Sequence, residues 1–199
     1  MIPATKKDEK YAVDIITQAF DTNPSVNWVV KNDTRRRKRI RALARYSFRN
    51  ALRNNGAYFS SAKNGIALCY QINHNKFSLA EYWNQLILVI TAIGPGRIGK
   101  VLKRESYIDT IRPKNEDYLY FWFYGVKPGN HNSGDASELK DDIFRIADEK
   151  QLPIYLETSV EKNMRVYSRY GFELYHTWNV EDRGIKLYFM RRMPLAMNS

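Results

Sequence analysis

Residues Val126–Phe172 read VKPGNHNSGDASELKDDIFRIADEKQLPIYLETSVEKNMRVYSRYGF. The segment opens where an aromatic strand, Tyr118–Val126, is ended by Lys127-Pro128, since proline cannot continue a ladder. A loop of small and polar residues follows, then a helix. The apolar run Pro153–Thr158 reads as a strand, and a short helix after it is closed by Gly171. Strand, loop, helix, strand, helix at this spacing is the layout of an α/β layer.

Working outward, the chain before this segment is rich in helical signals. Tyr11, Ile15 and Phe20, with Ala12, Val13 and Ile16 between them, predict a first helix over Lys7–Phe20 that stops before Asn23-Pro24. Ile40, Leu43, Ala44, Ser47, Phe48, Ala51 and Leu52 share one face of a second helix, Thr34–Asn54, with Thr34 as its N-cap. Ala57–Ser61 and Ile66–Ile72 read as strands around the turn Ala62–Gly65. Ser78–Ile93 returns to helical spacing, Gly94-Pro95-Gly96 breaks it, and Arg97–Ile111 is a further helix. Beyond the central segment, Phe172–Val180 and Ile185–Arg191 flank Glu181-Asp182-Arg183-Gly184, a hairpin in which Gly184 supplies the positive φ. The expected fold class is α/β (α+β): one mixed, mostly antiparallel sheet with helices on both faces, in a single domain over residues 1–199.

Composition narrows the function classes. Hydrophobic residues make up 44% and aromatic residues 14%, which is a packed globule and not a disordered chain. A lone cysteine, Cys69, excludes an internal disulfide framework, and His74 and His176 are isolated, so no metal-ligand cluster is visible. The N-terminus has no apolar signal region, and the apolar run Leu86–Ile93 is far short of the roughly 20 residues that span a bilayer. A cytoplasmic location follows as the expectation. Lysine and arginine outnumber acids 32 to 21, a balance suited to an anionic cofactor, a polyanion or plain solubility.

The order and spacing in Val126–Phe172 resemble the acetyl-CoA-binding half of the GCN5-related N-acetyltransferase (GNAT) family. The family's loop signature, Gln/Arg-x-x-Gly-x-Gly/Ala, falls on His131-Asn132-Ser133-Gly134-Asp135-Ala136: the Gly and Ala positions match, while the first position is His131. Ala19–Pro24, the arginine-rich second helix and the two early strands also have counterparts in the family, so the likeness covers most of the chain. It implies an acyl-CoA N-acyltransferase-like fold and transfer of an acetyl group from acetyl-CoA, as co-substrate, directly to an amine. It also implies cofactor contacts at the backbone of Val126, at His131, Asn132, Ser133, Gly134, Asp135 and Ala136, and near Asn163. Tyr167 falls on the position that protonates the leaving thiolate.

Several residues carry two readings. Asp135 and Glu138 also suit a capping box, which would occupy the helix amides that a pyrophosphate would use. His131 is a phosphate donor or an ordinary loop histidine. Tyr167 is a general acid or a core aromatic, and Tyr170 reads as core. Glu157, at the end of its strand, is a general base for the ammonium or the partner of an arginine. Arg37, Arg41, Arg45, Arg49 and Arg53 form one stripe, which either contacts an anion such as nucleic acid or is a solvated face. The alternative function is therefore a weakened acetyltransferase-fold module that binds an anionic ligand or nucleic acid through its basic face.

Overall fold

The computed structural model describes residues 1–72, 98–130, 133–180 and 184–196. The helix expected over Ser78–Ile93, together with His74, lies outside them. In chain order the elements are β1 (Ile2–Pro3), α1 (Glu9–Ala19), α2 (Pro24–Val29), α3 (Arg36–Arg53), β2 (Ala57–Phe59) and β3 (Gly65–Ile72). Then come α4 (Ile98–Ile111), β4 (Tyr118–Val126), α5 (Asp135–Glu149), β5 (Ile154–Thr158), α6 (Glu161–Arg169), β6 (Glu173–Val180) and β7 (Ile185–Arg192). The strands form one seven-stranded sheet in the order β1-β2-β3-β4-β5-β7-β6. Every pairing is antiparallel except β4 with β5.

Three apolar clusters fix the layers. On one face α1 and α3 pack Ile15, Ile16, Ile40 and Phe48 against Phe59, Ile66 and Phe123. Most of these side chains are fully buried, and each such burial stabilises by roughly 1.5–3 kcal/mol. On the other face α5 packs Leu139, Ile143 and Ala147 over Ala67, Leu119 and Phe121. A third cluster joins Trp28 of α2 and Val101 and Ile108 of α4 to Leu187 and Phe189 of β7. Helices thus cover both faces, as the sequence reading expects.

Three local expectations need correction. Thr34 does not cap α3; the N-cap is Arg35, whose amide donates to Asp33 Oδ1 at 2.9 Å. The asparagine–proline pair that ends α1 also starts another helix: Asn23 accepts from the Val26 amide at 3.2 Å, with Pro24 in the first turn of α2. Tyr170 is not core but 36% exposed, with Lys140 Nζ 5.0 Å from its ring centroid. The hairpin glycine is as expected, with Gly184 at φ +64°; Glu181, Asp182 and Arg183 lie outside the described residues.

The feature that positions the site is the β4–β5 pairing. Only Leu119–Ile154 and Tyr120–Tyr155 pair, although β5 runs to Thr158 and β4 to Val126. On its other edge β4 stays paired with β3 as far as Val126–Gly65, with a bulge that leaves Trp122 unmatched between Phe121–Cys69 and Phe123–Leu68. A bulge bends the strand that carries it. From Phe121 onward β4 leaves β5, and a cleft opens between them.

Candidate active site

The cleft encloses about 330 Å³. The diverging halves of β4 and β5, the C-terminal part of α6, α2 and α4 all contribute to its lining. Tyr167, Asn163 and Glu157, singled out from the sequence, line this one cavity.

Tyr167 is held by the way α6 ends. Gly171 takes φ +87°, the Gly171 amide donates to Ser168 O at 3.1 Å, and the Phe172 amide donates to Tyr167 O at 3.0 Å. These two bonds form a Schellman end, and its usual apolar contact is here the Tyr167–Phe172 ring pair, 5.5 Å between centroids. Burial pushes the Tyr167 phenol above the ordinary tyrosine range, so it holds its proton at neutral pH. Asn163 lies exposed, one turn earlier on the same helix.

Glu157 is not a free carboxylate. Arg112, just past α4, donates Nε to Oε1 at 2.8 Å and an Nη to Oε2 at 2.9 Å. Tyr120 Oη donates to Oε2 at 2.8 Å, and the guanidinium lies 4.2 Å from the Tyr120 ring centroid. The Glu157 side chain is 7% exposed. Burial pulls its pKa up, but the charge and hydrogen bonds of Arg112 and the Tyr120 hydroxyl outweigh that and hold the carboxyl below the usual glutamate range. Of the two sequence readings, the arginine pairing is what the geometry contains, and it weakens Glu157 as a base. Arg112 and Tyr120 were missed because their partner is 45 and 37 residues away.

The loop before α5 resolves the capping alternative. His131 and Asn132 lie outside the described residues. Asp135 is not the N-cap; Gly134 is, at φ +83°, and among the described residues no side chain caps the helix. Asp135 instead turns to the β2–β3 side, where its carboxylate accepts from the hydroxyls of Ser60 and Ser133. Glu138 points the same way, accepting from the Ser61 amide at 2.9 Å and the Ser61 hydroxyl at 2.6 Å. The residue that permits this is Gly65: a Cβ there would lie 2.9 Å from Leu139 Cδ1 and 3.4 Å from Asp135 Cβ. Tyr124 of β4 fixes the first turn by donating to Ala136 O. Both carboxylates are thus engaged by Ser60, Ser61 and Ser133, and among the described residues no side chain occupies the first amides of α5. Val126, whose backbone pairs with Gly65, ends β4 just before this loop.

Three of the five arginines in the α3 stripe are matched by acids. Arg41 pairs with Asp14, and Arg45 and Arg49 pair with Glu9 at 3.2 and 2.7 Å. Neighbouring Arg36 pairs with Asp21 and Arg39 with Asp33. These contacts offset the like-charge cost within the stripe and give it a structural role in docking α3 on α1. Among the described residues no group of three metal-ligating side chains occurs, and no helix is long and apolar enough to cross a membrane.

This fold is shared with solved structures. All of this chain and 97% of a Corynebacterium glutamicum protein, described as histone acetyltransferase HPA2 and related acetyltransferase, superpose with a TM-score of 0.72 at 18% identity. The fold is that of the GCN5-related N-acetyltransferases. Arylalkylamine N-acetyltransferase 2 from Aedes aegypti shares the acetyltransferase fold at a TM-score of 0.64 and 15% identity, over 96% of each chain. Ard1 from Thermoplasma volcanium matches at a TM-score of 0.56 and 14% identity, over 98% of this chain and 96% of that one. In sequence, an uncharacterized N-acetyltransferase of Schizosaccharomyces pombe is 33% identical over 68 residues, which is 34% of this chain and 28% of that relative. The matched stretch therefore spans little more than a quarter of the relative. No protein-family model matches the chain.

Proposed function

We propose that the protein is an acetyl-CoA-dependent N-acetyltransferase. The observation that carries this reading is the cleft where β4 leaves β5 with Tyr167 on its wall, beside a helix start whose N-cap, Gly134, has no side chain. The residues fit the cofactor. The amides opening α5 and the helix dipole suit a pyrophosphate, Gly134 lacks a Cβ that would obstruct it, and Asp135 and Glu138 are engaged elsewhere. The edge of β4 from Phe121 to Val126, which β5 leaves, offers backbone groups to an extended arm. Bound acetyl-CoA supplies a thioester: the amine nitrogen bonds to its carbonyl carbon, the carbon–sulfur bond breaks, and CoA leaves as a thiol.

The side chains then have distinct tasks. Tyr167 keeps a proton on Oη at neutral pH and donates it to the departing sulfur. Glu157 stays anionic. Its three accepted hydrogen bonds leave one lone-pair position on Oε1, which aligns the incoming amine. Because its pKa is held low, the amine's proton passes on to water. Asn163 borders the cofactor side of the cleft.

Calorimetric titration with acetyl-CoA, followed by assay of free-thiol release across a set of amines, tests the reading. Saturable binding and amine-dependent thiol release are expected. No heat of binding at millimolar acetyl-CoA would sink it.

A further inference from the structure

The acceptor side of the cleft carries chemical information that the cofactor side does not. Among the described residues, four charged side chains line it, and they are already matched in two pairs: Arg112 with Glu157, and Arg104 with Glu105 at 2.6 Å. Some of its polar groups are engaged as well. Asn23 caps α2, and the Ser25 amide donates to Ser159 Oγ at 3.1 Å. Much of the rest is apolar: Phe20, Val29, Val101, Leu102, Ile108 and Trp122. Leu102 is 57% exposed on the lining of this cavity, apolar surface that an apolar ligand would remove from water. A cavity of about 330 Å³ that also admits an acetyl arm has room for a compact acceptor group.

We propose that the acceptor is a small primary amine carrying one positive charge on an apolar body. The inference rests on the acetyl-transfer reading above and narrows it. A polyamine or a lysine-rich peptide brings several ammonium groups, and among the described residues the cleft offers them one lone-pair position on Glu157 and no unmatched carboxylate. The chain's net charge of +11 repels such polycations further, and a single charge much less. An amino acid brings a carboxylate whose best partner, Arg112, already holds Glu157 through two of its donors. An apolar body instead removes the exposed face of Leu102 and the Trp122 ring edge from water.

The test uses the full chain and four probes: 2-phenylethylamine, spermidine, β-alanine and a lysine-containing peptide. With acetyl-CoA present, kcat/KM from thiol release is expected to be at least about tenfold higher for 2-phenylethylamine than for the other three. If acetyl-CoA does not bind, the acetyl-transfer reading falls and calorimetric titration of the same amines into the protein alone decides the matter, with the same ranking expected. Leu102→Glu, at a position open enough to leave the fold intact, is expected to lower the 2-phenylethylamine value about tenfold and to raise that of spermidine. Spermidine, β-alanine or the peptide equalling 2-phenylethylamine in the deciding measurement overturns the proposal. So does a ranking that Leu102→Glu leaves unchanged.

Discussion

The two walls of the cleft are made differently. The wall from β4, β5 and the start of α5 works with backbone: a strand edge released by a bulge, and helix amides left open because Gly134 has no side chain and Asp135 faces away. The opposite wall, from α2 and α4, works with side chains, its charges matched in pairs and its surface otherwise apolar. Backbone recognition suits one invariant ligand. Side-chain recognition can be retuned by single substitutions, so on the proposed acetyl-transfer reading the second wall is the one suited to choosing the acceptor.

The comparison breaks first at the Arg112–Glu157 pair. Arg112→Met leaves a buried carboxylate without its counter-charge, held only by the Tyr120 hydroxyl, and chemical denaturation at neutral pH should show a loss of about 3–5 kcal/mol. Adding Glu157→Gln should recover much of it, as a double-mutant cycle reads directly. The sign of the pH dependence follows from the pairing. Glu157 has a folded-state pKa below its ordinary 4.5, so its stabilisation is complete above that value and is lost as pH falls through the lower one. Glu157→Gln should therefore flatten the acid limb of the stability curve. In Arg112→Met the order reverses, and the penalty grows as pH rises through the carboxylate range.

Tyr167→Phe tests the cofactor-side wall. Turnover should fall about 10²-fold while acetyl-CoA affinity is nearly unchanged, and equal rates would remove the general-acid role. Gly134→Ala is smaller. The added Cβ meets nothing within 4 Å, so its cost is the left-handed conformation alone, about 1–2 kcal/mol by urea denaturation. Smallest is Arg49→Ala on the exposed α1–α3 surface, where loss of the Glu9 pair should cost under about 1 kcal/mol and fade with salt. A larger effect there would mean that the stripe does more than dock α3.

How far the sequence spoke depended on the range of the interaction. Gly171 and Gly184 were legible because closing a helix or a hairpin at positive φ is a local demand that few residues meet, whereas Gly134, also at positive φ, stood out only through the resemblance of its loop. The β4–α5–β5–α6 order was legible because each element is long enough to show its own pattern. Asp135 and Glu138 misled, because a capping box considers only partners three residues apart, whereas Ser60 and Ser61 lie 75 and 77 residues away and compete for the same carboxylates. The short helix α2 was hidden by its length and by valine, asparagine and tryptophan, which are modest helix formers. Asn23-Pro24 was the signal for its start, and it was read only as the end of α1. Arg112 gave no sign among 32 basic residues, since nothing local marks which of them will turn inward.

Trp122 has one further consequence. In β4, Tyr118 and Tyr120 face the α1–α3 core while Leu119 and Phe121 face α5. Strict alternation would send Phe123 to the α5 side. Instead Trp122 and Phe123 both face α1–α3, and Tyr124 comes round to α5, where its hydroxyl reaches Ala136. The unmatched residue is thus a change of parity: upstream even numbers face one layer, downstream odd numbers do. Deleting Trp122 would not merely shorten the strand. It would restore strict alternation with residues 123–126 still facing the layers they now face, and so remove the bulge that bends β4 away from β5.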